Sequence, residues 1–165
     1  MYNHGMSNGE VDLVHSERDV LLRYLAKHRR LMVAALDGLT DEQARRPMVP
    51  SGTNLLGLVH HLTGVERHWF EFVFLGASIE PDMAMSAPPS ASTEDVVAGY
   101  RTACARSDEI VRGCTDLSTL AAIPNPGEDG LDSLRLITAH MVEETAQHTG
   151  QADIIRELID GRVND

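Results

Sequence analysis

Four long stretches with helical spacing, each bracketed by a capping residue and a stop signal, limit what this chain can fold into more than any other feature of its sequence. From Glu10 to about Leu36, Val14, Leu21, Leu22, Leu25, Leu31, Met32 and Ala35 recur at mixed three- and four-residue spacing with charges between them, and Gly38 is placed to end the helix. Thr40 and Gln43 form a capping-box signature for a short turn, which Pro47 and Pro50 stop. Thr53 or Asn54 caps a second long helix through LLGLVHHLTGVERHWFEFVFLG, ending at Gly76. Ser92, followed by Glu94 and Asp95, opens a third through VVAGYRTACARSDEIVRG, which Gly113 closes. Asp132 or Ser133 starts the fourth, which extends to Gly161.

Between these stretches lie two irregular connections, ASIEPDMAMSAPPSAS (77–92) and IPNPGEDG (123–130), the first longer than an ordinary turn. No window shows the sustained alternation of a half-buried strand. The expected fold is all-α, a four-helix bundle with long inter-helix loops, occupying 10–161 as one domain. Residues 1–9 carry no helical pattern and are expected to be disordered. A chain of 165 residues is long enough to bury a real core. Bundles build their sites from side chains on facing helices.

The net charge of −11 excludes a surface made to neutralise phosphates, so nucleic acid is not an expected partner. No apolar run approaches the roughly 18 to 20 residues of a membrane span, and MYNHGMSNGE has neither a basic region nor an apolar core, so a cytoplasmic protein is expected. Cys104 and Cys114, with no CxxC, support neither a disulfide framework nor a structural zinc cluster and are read as buried free thiols.

Five of the eight histidines cluster: His60, His61 and His68 in the second helix, His140 and His148 in the fourth. His61 falls among Leu62, Val65, Trp69 and Phe72 at core-like spacing, with only His68 sharing its direction two turns on. An isolated histidine on such a face is ordinarily a hydrogen-bonded core residue. In HMVEETAQHTGQ, however, His140, Glu144 and His148 stand four apart and so line one stripe. The apolar stripe of Leu134, Ile137, Met141, Ala152, Ile155 and Leu158 leaves Glu144 and His148 between core positions. A buried carboxylate needs a cation or must become neutral. One histidine of the second helix with Glu144 and His148 makes a His₂Glu set, the donor number of a catalytic zinc with an open position, although nickel, cobalt and ferrous iron accept the same donors. His140 could replace or supplement Glu144, and Glu143 reads as a solvated charge. No Glu-x-x-His pair, HExxH, P-loop, dinucleotide fingerprint or GxSxG elbow competes.

The segments ERDVLLRYLAKHRRLMVAALDGLTDEQARRPMVPSGTNLLGLVHHLTGVERHWFEFVFLG and HMVEETAQHTGQADIIRELIDG resemble the DinB-like superfamily of metal-binding four-helix bundles, over essentially residues 10 to 161. The resemblance assigns the first metal-ligand role to His61 of HLTGVERHWF and the other two to Glu144 and His148 of ETAQHTGQ. Many relatives carry His where Glu144 stands, and the His/Glu/His version is similar to that of the mycothiol-dependent maleylpyruvate isomerases. The family implies a divalent metal, zinc or nickel, and a mycothiol- or bacillithiol-like thiol whose thiolate the metal stabilises for attack on a small electrophile, in a transferase or isomerase reaction. A non-catalytic metal-binding bundle and an interaction module with an empty site are the alternatives. His140, Glu66 and Arg67 are further candidates around the metal or substrate, with Glu66 and Arg67 also readable as a structural ion pair, and Trp69 and Phe72 read as core. An exposed bundle face would suit a homodimer.

Overall fold

A computed structural model describes residues 16–163 apart from 128. The expected disorder of residues 1–9, and the helical start at Glu10, lie outside the described residues. Helix α1 spans Glu17–Ala34 behind Ser16, whose side chain accepts from the Asp19 N–H. Helix α2 spans Asp41–Arg45, and the Thr40–Gln43 capping box forms in both directions. Asn54 caps α3, Leu55–Glu66. Ser92 and Asp95 make a second capping box at the start of α4, Thr93–Gly113. Ser133 caps α5, Leu134–Asp160, which Gly161 ends in the left-handed conformation. The described residues form helices and no strand; Leu120 and Ser133 meet in a single antiparallel bridge.

Spacing alone predicts one continuous second helix, and here the structure differs. After Glu66 the chain passes into a π-helical segment, Arg67–Phe74, closed by the Leu75 N–H donating to the Phe70 carbonyl at 3.3 Å. An i→i+5 bond admits one more residue per turn than an α-helix, so each later side chain is displaced around the axis. Phe70, Val73 and Phe74 enter the core, while Trp69 and Phe72, expected there, are half-buried and pack against its edge.

Helix α1 packs along α5 and α3 along α4, with α3 also against α5. Among the described residues the buried apolar side chains form two clusters. One gathers Met32, Leu56, Leu58, Leu62, Tyr100 and Ile155; the other gathers Leu25, Phe70, Val73, Val111, Ile137 and Met141. The α5 stripe holds as expected from Leu134 to Ile155 but not at Leu158, which is 52% exposed. Arg156 takes the inward position near that end, its guanidinium donating to the Ala35 and Asp37 carbonyls and to Asp160.

Candidate metal centre

His61 on α3 faces Glu144 and His148 on α5, and one donor atom from each lies within 4.8 Å of the other two. The Nε2 atoms of His61 and His148 stand 3.6 and 3.1 Å from the same oxygen, Glu144 Oε1. Their ring centroids are 5.0 Å apart and the planes cross at 76°. On α5 this follows from the four-residue step between Glu144 and His148, which puts both on one face.

The other ring nitrogens settle what these atoms can do. His61 Nδ1 is 2.6 Å from the Met83 carbonyl, which only accepts, so Nδ1 carries a proton and the neutral ring has its lone pair on Nε2. His148 Nδ1 donates to Gln151 Oε1 at 2.9 Å, with the same result. Both Nε2 atoms thus face one carboxylate oxygen, that of His148 within hydrogen-bond distance of it. That arrangement repels unless a proton or a cation lies between them. Two imidazoles and one carboxylate, each imidazole held from behind by an acceptor, fit a divalent metal of the His₂Glu type.

The loop that supplies Met83 is seated directly on α3. A Cβ at Gly64 would stand 2.0 Å from the Asp82 carbonyl oxygen, and one at Gly57 would stand 2.2 Å from that of Met85. The two glycines, one before and one after His61, thus admit the loop backbone where any side chain would exclude it. Asp82 fastens the same loop: it accepts from the Ala84 N–H at 3.0 Å and lies 3.1 Å from His60 Nε2. These two contacts, the backbone one first, hold its carboxyl below the usual aspartate range.

The remaining residues singled out in the sequence are distributed differently. His140, one turn before Glu144, packs its ring against Trp69 at 4.7 Å and is outside the three-residue cluster. Glu66 and Arg67 do not pair with each other. Glu66 is fully buried and accepts two 2.7 Å bonds from Arg29, whereas Arg67 is exposed beside Glu71. His68 does not join His61: it sits 2.9 Å from Asn125 Oδ1 and stacks on Phe72. Cys104 and Cys114 are free but half-buried rather than buried. Burial, and then the Glu66 charge, push the Cys104 thiol well above its ordinary value.

Sequence reasoning missed Met83, Gln151, Gly57 and Gly64. Gln151 had a readable signal, since it stands three residues after His148 and so shares its face. The paired glycines inside a helical pattern also signal close backbone approach. The Met83 contact has none, because any residue carries the carbonyl.

The model of the mycothiol S-transferase family matches residues 20–161. The chain belongs to that family. No individually curated protein matches it. For a mycothiol S-transferase family member, the matched span contains both halves of the His61, Glu144 and His148 cluster, together with the glycines and Gln151 that surround it. No described helix is long and apolar enough to cross a membrane.

Proposed function

We propose that the chain is a metal-dependent S-transferase or isomerase in which His61, Glu144 and His148 hold a divalent metal, zinc or nickel, and a mycothiol-like thiol attacks an electrophilic small molecule. The observation that carries this reading is the pair of Nε2 atoms turned toward one Glu144 oxygen, each ring held from behind at Nδ1. A divalent metal bound there supplies the positive charge that keeps a thiol ionised near neutral pH.

The chain's own groups prepare that site. Met83 and Gln151 hold the protons on the Nδ1 atoms of His61 and His148, leaving both Nε2 atoms as donors. Glu144, its side chain 23% exposed, keeps the centre open to solvent on one side. Cys104 is an unsuitable nucleophile, because burial and the Glu66 charge keep its thiol protonated. The attacking sulfur is assigned to the mycothiol-like small-molecule thiol: in transfer a sulfur–carbon bond forms, the leaving group departs with its bonding pair and the thiol proton is released.

Two measurements test the reading. Protein purified without an affinity tag should contain close to one metal ion per chain, and His61→Ala and His148→Ala should lose most of it. Equal metal in the variants and wild type would remove the centre. The loaded protein should then consume a panel of electrophiles with mycothiol or bacillithiol. A bound metal without any such consumption, glutathione and coenzyme A included, would instead favour a non-catalytic metal-binding bundle.

A further inference from the structure

The π-helical segment presents rings to the seam with α5. Trp69 meets His140 edge-on, with ring centroids 4.7 Å apart and planes at 61°. Behind it, His68 stands edge-on to Trp69 at 5.5 Å and stacks on Phe72 at the same distance. Beside this row lies a cavity of about 320 Å³ lined by Trp69, Asp132, Leu136, Ile137, His140 and Glu143, among others. His140 is one helical turn from Glu144, so the cavity begins a turn away from the metal centre. Its volume falls in the range of small-molecule pockets, about 300 to 1,000 Å³.

Two features choose the occupant. The cavity has Asp132 and Glu143 on its wall and neither Lys nor Arg, so an anion is repelled. Half-buried Trp69 offers a large rigid ring at the edge of the second apolar cluster, and π-helical insertions are frequent at functional sites. We propose that this cavity is the acceptor pocket and takes a planar aromatic electrophile without negative charge, packed on Trp69 with His140 as a wall. This rests on the S-transfer reading of the neighbouring centre.

Trp69 is the chain's single tryptophan, so its fluorescence reports the pocket without any turnover. Titration with 4-nitrobenzyl alcohol, an unreactive neutral analogue, should give saturable quenching. Its anionic counterpart 4-nitrobenzoate should bind at least fivefold more weakly. Benzyl alcohol should displace the nitro compound, and cyclohexylmethanol should need at least fivefold more to do so. His140→Ala should weaken the quenching at least fivefold. Leu136→Lys, at a position 54% exposed and therefore outside the core, should reverse the preference toward the benzoate. Linear, non-saturating quenching, or saturable quenching indifferent to probe charge and to Leu136→Lys, would overturn the pocket. The two failures are distinguishable: conjugation with no saturable quenching removes the pocket alone, and saturable quenching with no conjugation removes the S-transfer reading and with it the acceptor role, leaving an aromatic-binding cavity.

Discussion

A histidine becomes a useful donor only when something fixes which nitrogen carries its proton, and for His61 that something is the carbonyl of Met83. The contact survives only while the loop remains seated on α3, so Gly64 controls a ligand three residues away. Replacing a helical glycine by alanine ordinarily stabilises by about 1 kcal/mol. Here the added Cβ would meet the Asp82 carbonyl oxygen at 2.0 Å, and backbone rather than a flexible side chain must move. Gly64→Ala should retain helical circular dichroism while losing metal affinity by about 10- to 100-fold, the usual effect of removing a ligand's supporting hydrogen bond. Competition with a chelator of known affinity measures it; unchanged affinity would show that the loop does not position His61. Gln151→Leu acts on the other imidazole and should lower affinity by about the same factor, with thermal stability little changed.

At the scale of elements, the π-helical segment decides which aromatic side chains support the fold. Phe70 is fully buried, and Phe70→Ala should cost about 3 to 5 kcal/mol; Trp69→Ala, at a half-buried ring, should cost about half as much. Urea denaturation gives both values. The reverse order would be the one that α-helical spacing predicts, so the pair discriminates the two registers directly. Helix ends were legible in the sequence because capping is local: Ser92 and Asp95 satisfy each other's backbone N–H groups within four residues, whatever packs above them. The π-helical segment was not, since RHWFEFVF suits an α-helix equally well and the departure becomes evident only when the side chains meet α4 and α5. The same reasoning applies to Glu144 and His148, neighbours on one helix and readable as such. His61 required the family resemblance, because nothing local says which face of α3 meets α5.

Across the whole molecule, a buried polar layer separates the two apolar clusters. Arg29 comes from α1, Glu66 from α3, and Ser107 from α4 with half-buried Asp108 at its edge, while α5 contributes Thr145 and Thr149 on either side of the His148 turn. This layer was not readable in advance: Arg29 and Glu66 are brought together only by the packing of α1 against α3, and adjacency in the chain suggested Arg67 as the partner instead. Burial alone would pull the Arg29 guanidinium down, but the Glu66 charge and the hydrogen bonds it donates to Glu66 and Asp108 reverse that and keep it charged. A buried ion pair of this kind is costly to break and not necessarily favourable to keep, since desolvation offsets much of the attraction. Arg29→Met leaves the Glu66 carboxylate at 0% exposure without its cation and should destabilise by about 3 to 5 kcal/mol. Adding Glu66→Leu removes the stranded charge, while Asp108 retains Arg112 at 3.1 Å. The double variant should therefore recover at least half of the stability lost by Arg29→Met, a coupling that urea denaturation of the two single variants and the double would measure. Additive losses would mean that the two side chains contribute through separate packing, and that the charge pair does not join α1 to α3.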